Sequence, residues 1–254
     1  MRILITNDDG VYSPGIAALA QVASRFGEVR IVAPDVEMSS SSHSISSNRP
    51  LSYKHTRLPL PVPNVEAYRV NGTPADCVTL GASLWDKVDA VLSGINIGMN
   101  LGNAIWHSGT LAGAKQATLL GIRGFAFSAP ATETEQPDFD ALKPWVATVL
   151  ESLLQMRGLC LVNVNFPGKA PRGTQWVRQS VRHYDGKVVP AKDPMGRTHY
   201  WYTIVPVDST EEGTDRWAIE QGYVSIMPLR LDLTDHEQLA QARKLESWQK
   251  LKFG

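Results

Sequence analysis

The stretch from Arg2 to Ala33 constrains the fold more than any other. Arg2–Thr6 is a short β-branched run ended by Asn7-Asp8-Asp9-Gly10, which reads as a buried strand followed by a turn. Ser13-Pro14 then supplies an N-cap and a first-turn proline. Apolar residues recur at helical spacing over Gly15–Phe26, and Gly27 closes the helix. Glu28–Ala33 is a second strand, stopped by Pro34. Strand, helix and strand in so short a span require a parallel pair joined by a right-handed crossover.

The rhythm repeats along the chain. Helices are expected over Asp76–Trp85, Leu111–Leu120 and Phe139–Met156, and strands over Tyr68–Val70, Val88–Ser93, Gly124–Ser128 and Leu159–Asn165. Continuously apolar strands need both faces covered, so the core is predicted to be an α/β, doubly wound, mostly parallel sheet in three α/β/α layers. Pro50–Val70 and Gln175–Val207 alternate polar and apolar residues between turns, and predict antiparallel hairpins outside that sheet. Tyr200-Trp201-Tyr202 within the second reads as an edge-strand or subunit-contact feature rather than a base-stacking platform. Asp235–Leu251 predicts an amphipathic helix serving as a docking or dimerisation arm.

The 254 residues suit one large α/β domain with an appendage: a core to about residue 170, then a hairpin extension and arm over about 171–254. Lys+Arg and Asp+Glu are equal at 25 each, which argues against broad electrostatic binding to nucleic acid or anionic lipid. No apolar run approaches the roughly 18 residues of a membrane span. MRILITNDDG lacks an apolar leader core, so a cytoplasmic location is expected. Cys77 and Cys160 sit in apolar surroundings and are expected to be buried small hydrophobes without a disulfide.

In an open parallel sheet, ligands collect at the carboxyl ends of the strands where strand order reverses. Four motifs fall at such ends. In Asn7-Asp8-Asp9-Gly10, two neighbouring carboxylates repel unless a proton or cation lies between them, and a hard divalent ion such as Mg²⁺ or Mn²⁺ satisfies both; a solvated turn with a capping Asp is the alternative. Ala33-Pro34-Asp35 leads into the Ser-rich loop Ser39–Ser44 with His43, whose hydroxyls could meet phosphate oxygens or give a metal a neutral ligand, or could belong to a polar linker. Ser93-Gly94-Ile95-Asn96 follows a strand directly, and Asn96 could add a carbonyl ligand without charge or cap a glycine turn. In His107-Ser108-Gly109-Thr110-Leu111, unpaired amides and hydroxyls at a helix start form a phosphate cradle or a simple N-cap. A fifth loop, Asn71-Gly72-Thr73-Pro74-Ala75-Asp76, opens a helix and reads as a cap or a pocket wall. Two acids, neutral oxygen donors and a phosphate cradle together describe metal-assisted phosphoryl transfer.

These motifs resemble the SurE (survival protein E) nucleotidases. The resemblance runs in order through NDDG at 7–10, APD and its Ser loop at 33–44, GTPADCV at 72–78, SGIN at 93–96 and HSGTLAGA at 107–114. It continues through VNVNFP at 162–167, RQS at 178–180, DPMGR at 193–197 and GYVSIMPL at 222–229. It implies a Rossmann-like core with a β-hairpin extension, and a C-terminal segment exchanged between subunits of a homodimer or homotetramer. It also implies one divalent cation per subunit, held by Asp8, Asp9, Ser39 and Asn96, and hydrolysis of nucleoside 5′- and 3′-monophosphates, with short polyphosphate as a further substrate. One departure is the loop Val36-Glu37-Met38-Ser39-Ser40-Ser41-Ser42, where many members carry Arg residues and a Gly. Ser39 stays in register among flanking serines, and Val and Met in place of Arg lower the positive charge offered to a polyanion.

The expected mechanism has the metal polarise the phosphoryl group and activate a water that attacks phosphorus in line. Asp8 or Asp9 orients that water, Ser108, Gly109 and Thr110 receive the developing charge, and His43 or His107 protonates the leaving alkoxide. A haloacid-dehalogenase-type phosphatase needs an acid two residues after its Asp nucleophile, whereas Asp8 is followed by Asp9, Gly10 and Val11. A receiver-type signalling domain needs a phospho-acceptor Asp at a later strand end, where this chain has Ser93-Gly94-Ile95-Asn96. A non-catalytic nucleotide-binding module is the remaining alternative.

Overall fold

The computed structural model describes residues 1–60, 62–131, 136–181, 184–206 and 210–244, apart from the side chains of 184–185 and 204–206. The chain opens as predicted with β1 (Arg2–Thr6), α1 (Pro14–Ala23) and β2 (Glu28–Pro34), followed by β3 (Tyr53–Thr56), β4 (Glu66–Val70) and α2 (Pro74–Leu84). Next come β5 (Ala90–Ile97), a 3₁₀ helix over Gly102–Trp106, α3 (Gly109–Leu119), β6 (Arg123–Ala129), α4 (Phe139–Gln155) and β7 (Leu161–Asn165). The remainder holds β8 (Thr174–Trp176), β9 (Tyr184–Lys192), β10 (Thr198–Pro206), α5 (Asp215–Glu220), β11 (Val224–Pro228) and α6 (His236–Arg243).

Nine strands form one sheet in the order β3-β4-β2-β1-β5-β6-β7-β11-β8. The run from β4 to β7 is parallel, with β3 antiparallel to β4 and β11 antiparallel to β7. The chain leaves β1 toward β2 and β4, then crosses through α2 to β5 and proceeds the other way. Strand order therefore reverses between β1 and β5.

Each central strand is apolar on both faces because helices cover both. Ile3 and Ile5 of β1 pack into the cluster beneath α1 and α4, while Leu4 between them joins the cluster beneath α2. Helices α1 and α4 pack on each other, as do α2 and α3 on the opposite face. With α4 on the α1 face, β6-α4-β7 crosses with the opposite hand to β1-α1-β2, a departure from the usual single handedness.

Three expectations need correction. The pair β3–β4 lies in the core sheet rather than outside it, because β4 donates its other edge to β2. Similarly, β8 pairs in parallel with β11, leaving only β9 and β10 as the separate hairpin. Cys160 is exposed, since β7 begins one residue later and the thiol sits in the turn after α4; Cys77 is buried. Of the C-terminal arm, α6 is exposed along its whole length, and the expected continuation over 245–251 lies outside the described residues. Among the described residues, no helix is long and apolar enough to cross a membrane.

Candidate functional site

The reversal point between β1 and β5 is where the predicted site residues gather. Thr6 pairs with Ser93, so the turns after the two strands face each other. Gly10 has φ +93°, which favours glycine, and this lets Val11 N–H reach the Pro34 carbonyl at 2.8 Å. Across the turn, the β5–β6 register shifts between Ser93 and Asn96. Gly94 makes this possible: its φ is +135°, and a Cβ there would lie 2.3 Å from the Phe127 carbonyl oxygen. The irregularity brings Asn96 to the cleft, with its Nδ2 donating to the Gly98 carbonyl at 2.7 Å and its Oδ1 left over as a donor atom for a cation.

Asp8 is almost completely buried. Its Oδ1 accepts a hydrogen bond from the Thr110 hydroxyl at 2.6 Å. Burial pushes its pKa up, while bonds from the Thr110 hydroxyl and the first-turn amides of α3 pull it down. Asp9 accepts from Ile97 N–H at 3.3 Å. Its pKa is pushed up to about 7, first by burial, then by the charge of Asp8 beside it, with a smaller contribution from Glu37. No basic side chain figures among the influences on either acid. Two desolvated neighbouring carboxylates without a cation are held at a cost, which a proton or a metal ion relieves.

The Ser-rich loop closes over this pair. Met38 N–H bonds to the Asp8 carbonyl at 2.7 Å, and Ser42 N–H to the His107 carbonyl at 3.0 Å. Ser39 gives its hydroxyl proton to Glu37 Oε1 at 2.6 Å, which leaves oxygen lone pairs for an outside ligand. Gly109 is required beneath it: a Cβ there would meet Asp8 Cβ at 2.8 Å and Ser41 Oγ at 2.9 Å.

Asp8, Ser39, Asn96, His107 and Ser108 line one cleft of about 430 Å³, whose apolar wall includes Met99 and Tyr202. Asp9 faces a neighbouring hollow with Asp35 and Glu37, and Ser39 and Ile97 border both. Thr110 is fully buried against Asp8, and Ser108 caps α3 by accepting Leu111 N–H at 3.0 Å. His107 is exposed in the cleft wall. His43 points elsewhere, bonded through Nε2 to Gln116 Oε1 at 2.8 Å. The loop at 71–76 is a capping box, Thr73 Oγ1 accepting from Asp76 N–H and Asp76 Oδ2 from Thr73 N–H.

Several contributors escaped sequence reasoning. Asn100 donates through Nδ2 to Thr110 Oγ1 at 3.3 Å and Ser128 Oγ at 2.8 Å, extending the chain behind Asp8. Its backbone carbonyl accepts from Asn163 and Asn165, and its amide donates to Asn165 Oδ1. The alternation Val162-Asn163-Val164-Asn165 carried a usable signal, because two amides on one face of a buried strand must find partners.

Among the described residues, no three His, Cys, Asp or Glu side chains converge to hold a metal. A cation here would therefore rest on two carboxylates plus the neutral oxygens of Ser39 and Asn96, a hard donor set that fits Mg²⁺ or Mn²⁺.

These features define a doubly wound α/β protein with a candidate site of hard oxygen donors at the strand-order reversal. The Survival protein SurE family profile matches residues 3–186. The chain is 46% identical over 239 residues to "5'-nucleotidase SurE 1" of Thermus thermophilus, covering 93% of this chain and 94% of that one. It is 41% identical over 245 residues to "5'-nucleotidase SurE" of Deinococcus radiodurans, covering 94% and 91%. The crystal structure of the SurE protein from Aquifex aeolicus superposes with a TM-score of 0.82 at 37% identity, over 97% of this chain and 100% of that one. The chain belongs to the SurE family.

Proposed function

We propose that this protein is a metal-dependent phosphatase that converts nucleoside 5′- and 3′-monophosphates to nucleoside and phosphate. One observation carries the reading. Two adjacent, desolvated carboxylates have no cationic partner among the described residues; Asp8 opens, beside Ser39 and Asn96, into the cleft that holds Ser108 and His107, and Asp9 into the hollow that shares Ser39 with it. The names of the curated relatives point to the same hydrolase class.

Asp8, Asp9, Ser39 and Asn96 would hold one Mg²⁺ or Mn²⁺ per subunit. When bound, such an ion supplies Lewis-acid polarisation of the phosphoryl group and lowers the pKa of water. Asp9, facing its own hollow, orients the attacking water from one side. Ser108, in the cleft wall at the start of α3, receives a phosphoryl oxygen where the helix dipole favours negative charge, while the Gly109 and Thr110 amides serve Asp8 and steady that carboxylate. The Thr110 hydroxyl acts on Asp8, fixing the carboxylate. His107 gives the proton to the leaving alkoxide, a role its place in the cleft wall favours over His43. Short polyphosphate is a weaker substrate in this reading, because Glu37 stands where a cation would help a polyanion.

The chain is read as one domain that pairs with copies of itself as a dimer or tetramer. Tyr200, Trp201 and Val188 of the hairpin stand exposed, and none of the residues of α6 is buried. Light scattering on the purified protein tests this; a monomer at working concentration removes it.

The function itself is tested by dialysis against EDTA, followed by phosphate release from each 5′- and 3′-nucleoside monophosphate with and without Mn²⁺ or Mg²⁺. Release only with metal is expected. No release with any metal overturns the reading.

A further inference from the structure

Another buried carboxylate, outside the acidic pair, holds the cleft wall. Asp215 is fully buried at the first position of α5, yet it has no salt-bridge partner among the described residues. Three backbone amides serve it instead: Gly102 N–H donates to Oδ2 at 2.7 Å, and Ser180 and Arg216 N–H donate to Oδ1 at 3.0 and 2.8 Å. Satisfied in this way, a buried charge is tolerated and becomes a rigid anchor.

What it anchors is the 3₁₀ helix Gly102–Trp106. That helix has Leu101 at its N-cap and so no side-chain cap of its own. The cap comes from 113 residues away. A second tether grips the same residue, as Gln179 Nε2 donates to the Gly102 carbonyl at 3.1 Å. Ala104 of this helix lines the cleft, and His107 follows it, closed by His107 N–H to the Ala104 carbonyl at 3.0 Å. The anchoring residues flank the root of the hairpin that supplies Tyr202 to the same cleft, where Asp215 N–H bonds to the Arg178 carbonyl at 3.0 Å.

We propose that Asp215 is a positioning residue that, with Gln179, fixes the wall carrying His107 so that His107 can protonate the leaving group. The inference rests on the nucleotidase reading and on His107 as proton donor. Asp215→Asn preserves volume but offers only one accepting oxygen. Its NH₂ must face either the Gly102 amide or the Ser180 and Arg216 amides, so part of the anchor is lost.

The test compares two leaving groups in the Mn²⁺-loaded protein. A nucleoside monophosphate releases a poor alkoxide that needs a proton, whereas p-nitrophenyl phosphate releases a phenolate that does not. For Asp215→Asn, turnover of the nucleotide is expected to fall by about tenfold or more, with the aryl ester within about twofold of wild type. Mn²⁺ affinity by equilibrium dialysis is expected to stay unchanged. His107→Ala should show the same split, and Gln179→Ala a smaller one; Gln179→Ala also serves if Asp215→Asn fails to fold. If His107→Ala splits the substrates and neither anchor variant does, or if the anchor variants depress both substrates equally, the inference about Asp215 is overturned. If His107→Ala itself shows no split, the proton-donor reading fails and takes this inference with it. If wild type releases no phosphate from either ester, the nucleotidase reading is what falls.

Discussion

Helices α2 and α3 lie side by side on one face of the sheet, and both begin with a hydroxyl residue after a glycine-containing loop, yet the two starts are wired differently. At α2, Thr73 and Asp76 satisfy each other in a closed capping box, and their spare oxygens tie down the far end of the Ser-rich loop through the Ser44 carbonyl and Ser46 N–H. At α3, the first turn contains no acid. Beyond the Ser108 cap, the Thr110 hydroxyl and the first-turn amides turn to Asp8, in the turn after β1, at the edge of the cleft. A helix that carries its own first-turn acid has spent its positive end. One that lacks it remains open to an anion from elsewhere, here a carboxylate and, in the proposed reaction, a phosphoryl group.

The strongest challenge to this contrast is removal of the acid that faces water rather than α3. Asp9→Asn is expected to lower phosphate release by at least about a hundredfold while leaving the circular dichroism spectrum and melting cooperativity intact. Turnover near wild type would mean that the acidic pair is a structural turn after all. The next effect concerns the open start itself. Thr110→Val removes the proton donated to Asp8 but keeps the buried shape, so Mn²⁺ binding measured by equilibrium dialysis should weaken by about tenfold to a hundredfold. Thr110→Ser should recover most of it. Unchanged Mn²⁺ affinity in Thr110→Val would show that the hydroxyl does not govern the carboxylate.

A third expectation concerns pH. In the metal-free protein, the Asp9 carboxyl titrates near 7 rather than its ordinary 3.8, so the native state holds this proton more tightly than the unfolded chain does. Stability of the EDTA-treated protein should therefore decline as pH rises from about 4 to 7, by on the order of a few kcal/mol at most, and level off above. A cation that replaces the proton should restore what is lost, so the rise in melting temperature on adding Mn²⁺ should be larger at pH 8 than at pH 5. An equal shift at both would mean that the cation does not compete with protons at the pair.

The same contrast explains which parts of the molecule could be read in advance. The sheet and its helices follow from periodicity, and β1, α1 and β2 appear within a few residues of expectation because each local signal agrees with its neighbours. The acidic pair was legible for the opposite reason: adjacent carboxylates in a turn conflict locally, and such conflicts mark sites. The partners of the pair were not legible. Nothing near Thr110 in sequence reveals that its hydroxyl meets Asp8, 102 residues away, or that Asn100 lies behind both. Asp215 is still more concealed, an ordinary first-turn acid until the fold brings Gly102 to it. The sheet membership of β3–β4 and β8 was missed because alternation shows that a strand is half-exposed but not which strand it joins.

The smallest expected effect tests the closed start. Thr73→Ala removes an N-cap that also reaches the Ser44 carbonyl at 2.7 Å, and should cost about 1 kcal/mol in unfolding free energy by urea titration. Asp76 still anchors Ser46 in that variant, and Ser39 is pinned at its own end through Met38 N–H to the Asp8 carbonyl. Turnover and Mn²⁺ affinity should therefore stay within about twofold of wild type, because additivity holds for sites without shared partners. Thr73→Ala and Thr110→Val each delete one buried hydroxyl at the start of neighbouring helices, so the comparison holds the chemistry of the change nearly constant. If Thr73→Ala weakened Mn²⁺ binding as much as Thr110→Val, the Ser-rich loop would have to transmit strain from α2 to Ser39. The two helix starts would then be one coupled unit rather than a structural cap beside a functional one.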